Sequence, residues 1–377
     1  MKILFTGGGS GGHVYPIIAI AEAMRDLVRE QKVLEPQLYY AAPTPYDRDS
    51  LYANDITFVP TAAGKMRNYT SILNFFDLFK TAWGILRSLI RMFYLYPDVV
   101  LGSGGYASFP TLVAARIFRI PVVIYATDTV PSRVNLWAGK FAVKVAISFP
   151  EAGSFFPKEK VAFTGNPIRK AALLPAHEGV WEFLHLNPDI PVILVVGGSQ
   201  GSQALNECVL GALPALLPKY QIIHQTGEAN IKEVEGRARV AVNSDPKLLE
   251  RYKPFGFLND LAMRMSSGAA KLVVSRGGAG SIFEISAWGV PSIIVPIPEP
   301  LSHDQTKNAF SYARSGGAVV VEQNNFTPGL LAAEVDRIFE HPEIYQAMSD
   351  GAHSFARLDA ARAIAQALLN IALAHES

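Results

Sequence analysis

The sequence predicts an α/β protein built from two Rossmann-like domains facing each other across a cleft. Three observations lead there. Short apolar runs alternate with helical patterns along the chain, which implies parallel sheets covered by helices. A strand running directly into a glycine loop opens the chain (Lys2–Thr6, then glycines to Gly12) and recurs at its middle (residues 191–196, then Gly197-Gly198-Ser199-Gln200-Gly201). The length, 377 residues, exceeds the roughly 250–300 residues that one hydrophobic core supports.

In chain order, residues 2–6 form the first strand and residues 17–30 a helix with apolar side chains at helical spacing. Residues 38–42 are a second strand. Further strands follow at 98–101, 122–125 and 143–148, each bounded by Pro, Gly or Asp. Pro167, Pro175 and Pro188 mark residues 166–189 as a linker between a first domain, 1–165, and a second, 190–353. The second domain starts with strand 191–196 and a helix from about Ser202. Strand 271–274 and helix 282–288, stopped by Gly289 and Pro291, come later. An Ala/Leu-rich helix from about 354 to the end is expected to return to the first domain. In sheets of this type, ligands bind beyond the carboxyl ends of the strands.

The 34 Lys+Arg nearly balance 33 Asp+Glu, which argues against a nucleic-acid binder. The balance is uneven, however. Residues 1–165 carry 17 basic and 12 acidic side chains, a net +5, leaving −4 for the rest. Half the residues are hydrophobic and only 18% charged, which excludes a disordered chain. One cysteine, Cys208, excludes an internal disulfide and an all-cysteine zinc site, and suits a reducing compartment. No secretory signal and no membrane-spanning run are expected.

Gly7-Gly8-Gly9-Ser10-Gly11-Gly12 formally matches G-x-G-x-x-G, in which backbone N–H groups approach a diphosphate before a helix N-terminus. A dinucleotide site would add a carboxylate at the end of the second strand, but Leu38-Tyr39-Tyr40-Ala41-Ala42 ends in Pro43. A tight strand–helix turn is the plainer alternative, yet it hardly needs five glycines. His13 follows at the helix start, where the dipole keeps an imidazole neutral and able to take a proton. Gly102-Ser103-Gly104-Gly105-Tyr106, after a strand, offers either a second diphosphate cradle or close helix packing. Ser275-Arg276-Gly277-Gly278-Ala279-Gly280-Ser281 is a further strand–loop–helix anion site. Glu284 follows it, suited to ribose hydroxyls or to helix capping. His303-Asp304-Gln305 sits in a proline-rich loop of the kind that faces ligands. Asp47-Arg48-Asp49 and the scattered histidines give no metal pattern.

Taken together, these motifs resemble the MurG family of glycosyltransferase family 28, which has the GT-B arrangement of two Rossmann-like domains. The matching segments are Gly8 to His13, Gly102 to Tyr106, Gly165-Asn166-Pro167-Ile168-Arg169, Gly197 to Ser202 with Leu205-Asn206, Ser275 to Glu284 with Gly289-Val290-Pro291, and Asp304-Gln305-Thr306 with Asn308-Ala309. The similarity covers nearly the whole chain in order. It implies inverting transfer of GlcNAc from UDP-GlcNAc to the C4 hydroxyl of MurNAc on an undecaprenyl-diphosphate-linked acceptor, with no cofactor and no metal. It further implies donor contacts from Ser10, Gly11, Gly12, Arg169, Ser199, the Phe257-Leu258 backbone, Ala279, Gly280, Ser281, Ile282, Phe283, Glu284 and Gln305. The acceptor diphosphate is expected at Gly8, Gly9, Gly102, Ser103, Gly104, Gly105 and Tyr106, and the base is His13.

One segment departs from the family. Where H-E-Q-N is usual, this chain has Tyr125-Ala126-Thr127-Asp128. Asp128 replaces an Asn that helps hold the donor sugar and is an alternative base. The departure keeps open a related transferase acting on another lipid, such as diacylglycerol, or an inactive sugar-nucleotide-binding protein.

Residues 71–96 read as a helix with a wide apolar arc (Phe75, Phe76, Phe79, Trp83 and others) and one stripe of Asp77, Lys80, Arg87 and Arg91, with Lys65 and Arg67 just before it. Such a helix is either buried or laid on anionic lipid. The family's lipid-linked acceptor favours the second reading: a peripheral position on the cytoplasmic side of the plasma membrane.

Overall fold

A computed structural model describes residues 1–8, 11–64, 73–198, 200–299, 302 and 304–376. The chain divides into two units, Met1–Arg169 with Arg357–Ser377, and Lys170–Ala356.

The first unit contains β1 (Lys2–Thr6), α1 (Gly11–Gln31), β2 (Gln37–Ala42), α2 (Arg48–Ala53), β3 (Ile56–Pro60), α3 (Leu73–Leu95), β4 (Val99–Gly102), α4 (Phe109–Ile117), β5 (Val122–Ala126), α5 (Arg133–Gly139), β6 (Lys144–Ile147) and β7 (Val161–Phe163). Among the described residues its sheet has the order β3-β2-β1-β4-β5-β6-β7, with every pair parallel. Strands such as Val99-Val100-Leu101-Gly102 are buried on both faces, as parallel strands under helices must be. One face packs on α1, through Val14, Ile17, Ile20 and Met24. The opposite face packs Leu4, Val100 and Ile124 against Met92 of α3 and Leu112 and Ala115 of α4.

The second unit contains α6 (Lys170–Leu173), α7 (Val180–Leu184), β8 (Val192–Val196), α8 (Gln203–Leu216), β9 (Gln221–Gln225), α9 (Ile231–Ala241), α10 (Pro246–Leu249), β10 (Tyr252–Phe255), α11 (Asp260–Ala269), β11 (Ala270–Ser275), α12 (Ala279–Trp288), β12 (Ser292–Ile294), α13 (Gln305–Ala313), β13 (Ala318–Val320), α14 (Pro328–Glu340) and α15 (Pro342–Phe355). Its parallel sheet has the order β10-β9-β8-β11-β12-β13. The last helix, α16 (Ala360–Glu376), belongs to the first unit.

Several boundaries differ from the sequence reading. The stretch expected as a linker folds from Lys170 onward as part of the second unit. Trp288 Nε1 donates to the Ala172 carbonyl at 2.7 Å, and Ala176 N to that of Arg264 at 2.9 Å. The expected terminal helix is α16 and starts at Ala360, since residues 354 and 355 close the preceding helix α15 and the extended Ala356 follows it. Helix α1 begins at Gly11, so His13 lies in its first turn. Asp47, left without a role by the sequence, caps helix α2 and accepts from Ser50 N at 2.9 Å.

Candidate active site

In each unit the strand order reverses beside the first strand, between β1 and β4 and between β8 and β11. The loops that follow these strands flank the reversal, which is where open α/β sheets bind ligands.

In the first unit Thr6 and Gly102 are register partners, so the glycine loops after β1 and β4 lie side by side. Ser103 N donates to the Thr6 carbonyl at 2.9 Å. A Cβ on Gly7 would lie 1.9 Å from Ser103 Oγ, so a larger residue there must displace that hydroxyl. His13 Nδ1 is 2.9 Å from the Ser103 carbonyl oxygen, and Ser103 Oγ donates back to the His13 carbonyl at 3.2 Å. A carbonyl oxygen only accepts, so in the neutral ring the proton sits on Nδ1 and the basic lone pair on Nε2. Nε2 faces the turn at Gly105, whose φ of +78° requires glycine.

Of the second loop, Gly102, Ser103 and Gly104 are buried, and a Cβ on Gly102 would meet Leu112 and Ile124 at 3.1 Å. These three residues therefore also serve the packing of the loop against its neighbours. Gly105 and Tyr106 keep exposed surface, as do Gly11 and Gly12 in the first loop. Gly8 is buried, and Gly9 and Ser10 lie outside the described residues.

Two residues that sequence reasoning did not single out support this corner. Asn135, on α5, donates from Nδ2 to the Tyr125 carbonyl at 3.1 Å; its buried Oδ1 has no partner among the described residues and lies against Gly104. Tyr15 stacks under Arg169, whose guanidinium carbon is 4.2 Å from the ring centroid, and meets Tyr46 edge-on at 6.1 Å. The glycine at position 11 leaves room for both rings, since a Cβ there would lie 2.9 Å from Tyr15. The departing segment is anchored as well. Tyr125 OH donates to Asn166 Oδ1 at 2.5 Å and lies 2.7 Å from Ser148 Oγ; burial pushes its pKa far up. Asp128 stands half-buried just past β5.

In the second unit, Gln225 at the end of β9 joins two loops. Its Nε2 donates to the Gly198 carbonyl at 2.7 Å and its Oε1 accepts from Leu258 N at 3.1 Å. The Leu258 amide is therefore already engaged, while Phe257 is exposed. Ser199 and His303 lie outside the described residues. Arg276 follows β11 and bridges to Ser202 Oγ at 2.5 Å and to the Val295 carbonyl at 3.0 Å. Its buried Nε has no partner among the described residues, and desolvation lowers its pKa. Helix α12 starts with no side-chain cap, and a Cβ on Gly278 or Gly280 would meet nothing within 4 Å. Open space before uncapped helical amides is the geometry of an anion site. Ala279, Gly280 and Ser281 supply those amides. Ile282 and Phe283 do not, because Ile282 N bonds the Gly278 carbonyl and both side chains lie in the core. Glu284 is half-buried in the second turn. Gln305 spends its Oε1 on Ile297 N at 3.2 Å.

Residues 3–147 match the N-terminal domain and residues 192–364 the C-terminal domain of glycosyltransferase family 28. The chain belongs to glycosyltransferase family 28. Among its family 28 relatives, the UDP-N-acetylglucosamine–N-acetylmuramyl-(pentapeptide) pyrophosphoryl-undecaprenol N-acetylglucosamine transferase of Treponema denticola is 32% identical, over 87% of this chain and 86% of its own. Enzyme 2 of that name from Bacillus thuringiensis subsp. konkukian is also 32% identical, over 92% and 93%. The Acinetobacter baumannii MurG structure shares the GT-B fold, with a TM-score of 0.73 at 24% identity over 98% and 99% of the two chains. A putative UDP-N-acetylglucosamine 2-epimerase from Listeria monocytogenes scores 0.69 at 16% identity, over 98% and 95%. The fold thus hosts more than one chemistry, and the family 28 assignment rests on sequence.

The remaining prediction concerns α3. Phe75 and Phe76 side chains lie outside the described residues, as do Lys65 and Arg67. The rest of the helix is inverted for a surface helix. Leu78, Phe79, Trp83, Leu86, Ile90, Phe93 and Tyr94 are exposed, while Gly84, Ser88 and Met92 are buried. The expected charged stripe runs along the boundary: Lys80 and Arg87 face outward, but Asp77 and Arg91 are half-buried. Arg91 therefore does not join Arg87 on the outer face, because its Nη1 is turned into the protein. No helix among the described residues is long and apolar enough to cross a membrane.

Proposed function

We propose that this family 28 enzyme transfers GlcNAc from UDP-GlcNAc to the C4 hydroxyl of MurNAc in the undecaprenyl-diphosphate-linked acceptor lipid I, with inversion, giving lipid II. The reaction belongs to peptidoglycan synthesis, and so to cell wall biogenesis, cell shape and division. The full-length likeness to relatives that carry this activity in their names supports the reaction, and the His13–Ser103 contact supports its chemistry.

His13 Nε2 takes the proton of the acceptor hydroxyl as the oxygen attacks the anomeric carbon and UDP departs. The second unit holds the donor. Amides of Ala279, Gly280 and Ser281, with the charges of Arg276 and Arg169, stabilise the diphosphate as negative charge builds on it. Glu284 binds ribose hydroxyls, the Phe257-Leu258 segment meets uracil through its carbonyls, and Gln305 orients the sugar. Gly11, Gly12, Gly105 and Tyr106 meet the acceptor diphosphate. The exposed aromatic face of α3, with Lys80 and Arg87 beside it, rests on an anionic membrane surface, which makes the enzyme peripheral on the cytoplasmic side.

Release of UDP from a panel of donors, with a short-chain lipid I analogue as acceptor, tests this. UDP-GlcNAc is expected to turn over, and preference for UDP-glucose or UDP-galactose would remove the donor assignment. Asp128 and Ala126 favour one second reading, a different lipid acceptor; turnover with diacylglycerol and none with the lipid I analogue would establish it.

A further inference from the structure

Eight described residues other than glycine have a positive φ, and seven of them stand within three positions after a helix, where a left-handed residue ordinarily ends it. The exception is Tyr46, with a φ of +60°, in the connection from β2 to α2. A bulky aromatic residue is strained in this conformation, and Gly or Asn would adopt it more easily. The strain is held from both sides. Asp47 N donates to the Pro45 carbonyl at 2.8 Å, which closes a γ-turn of the rarer, strained hand around Tyr46. Asp47 is itself fixed as the cap of α2.

Burial does not account for the residue, since its side chain is 43% exposed. Placement does. The ring meets Tyr15 edge-on at 6.1 Å, and the hydroxyl oxygen comes to 3.0 Å from the point a Cβ on Gly11 would occupy. Bond lengths then put it at most about 5.5 Å from the Gly11 amide nitrogen. The first amides of a helix have no partner within it, and Gly11 opens α1. Two oxygens of one phosphoryl group can bridge a phenol and an amide at that separation. Strain that the surroundings enforce at such a place is a mark of function. We propose that Tyr46 is a substrate-contacting residue: its hydroxyl donates to a phosphoryl oxygen of the acceptor diphosphate held at Gly11 and Gly12. The proposal rests on the acceptor assignment above and adds to it a contact from outside the glycine loops.

Diphosphate binding by the full chain tests this, with geranyl diphosphate titrated while UDP saturates the donor site. Tyr46→Phe removes the hydroxyl and keeps both the ring contact and the strain. It should bind the probe about tenfold more weakly than wild type and raise KM for a short-chain lipid I analogue to a similar extent, with KM for UDP-GlcNAc near wild type. Tyr46→Asn relieves the strain, so it should melt no lower than wild type while binding the probe at least as weakly as Tyr46→Phe. The binding readout does not depend on turnover. A wild type that binds the probe but leaves the lipid I analogue unreacted would remove the acceptor assigned above, and tenfold weaker binding by Tyr46→Phe would still establish the Tyr46 contact. Equal affinities in wild type and Tyr46→Phe, or no binding by either, overturn the proposal. A lower melting temperature in Tyr46→Asn also overturns it, because the tyrosine would then be held for its contact with Tyr15.

Discussion

The Nδ1 atom of His13 lies 2.9 Å from the carbonyl oxygen of Ser103, which fixes the imidazole tautomer through the backbone of a neighbouring loop. In many acid–base sites a carboxylate side chain does this work. Here a main-chain carbonyl does it, held by two consecutive glycines with φ of +93° and +78°.

The sharpest prediction therefore concerns Gly105. A Cβ at this position would lie 2.8 Å from the Gly8 carbonyl and 3.4 Å from His13 Nε2, in a backbone conformation that strains any other residue. Gly105→Ala should lower kcat by about tenfold or more, approaching His13→Ala, for which roughly a hundredfold or greater loss is expected. Both are read from UDP release by folded protein. Wild-type turnover in His13→Ala would dismiss His13 as the base.

Tyr15 is predicted to act through Arg169. Cation–π stacking contributes about 0.5–2 kcal/mol, so Tyr15→Leu should raise KM for UDP-GlcNAc about threefold to tenfold while Tyr15→Phe leaves it near wild type. The effect should vanish in an Arg169→Ala background. Additive losses would show that ring and guanidinium act independently.

Arg276 ties the Ser202 cap to the Val295 carbonyl and stands in sequence two residues before Gly278, which opens α12. Arg276→Lys keeps the charge but cannot span both partners with a planar fork. UDP affinity, measured calorimetrically, should fall about tenfold in Arg276→Lys and further in Arg276→Met. Unchanged affinity in the second variant would take Arg276 out of the diphosphate site.

His224 supplies a pH dependence. It is fully buried on β9, 2.8 Å from the Tyr252 hydroxyl, and desolvation lowers its pKa from 6.5 to about 3. The unfolded chain takes up this proton below pH 6.5 and the folded protein does not until about pH 3. Stability is thus complete above 6.5 and declines as pH falls toward 3, by up to about 1.4 kcal/mol per pH unit. Urea unfolding of wild type and His224→Gln at pH 7 and pH 5 measures it. The variant should lose less on acidification, and parallel losses would exclude His224 as the source.

How far the sequence could be read depended on whether a feature was local. Glycines after apolar runs marked β1, β4, β8 and β11, because the constraint and the residue that meets it are adjacent. Strands β3, β7, β12 and β13 escaped notice: they are three to five residues long, and Ile-Thr-Phe-Val-Pro or Val-Ala-Phe carries no period. Gln225 was not singled out at all, since its two partners, Gly198 and Leu258, are about 30 residues away on either side. The helix over α3 was legible but its orientation was not. Apolar periodicity identifies a face without saying whether protein or lipid covers it, and Arg91 turned the other way.

Helix α16 carries a different consequence. Its residues Ile364, Leu368 and Leu369 complete the core that Val14, Ile17 and Met24 of α1 begin, and Arg362 pairs with Glu30 on its surface. The ribosome thus makes the first unit's sheet early and delivers the helix that covers it only after the entire second unit has emerged. Until then the nascent first unit carries an uncovered greasy flank, so a chaperone has its longest opportunity here, and a fragment cut at residue 165 would be born without its lid.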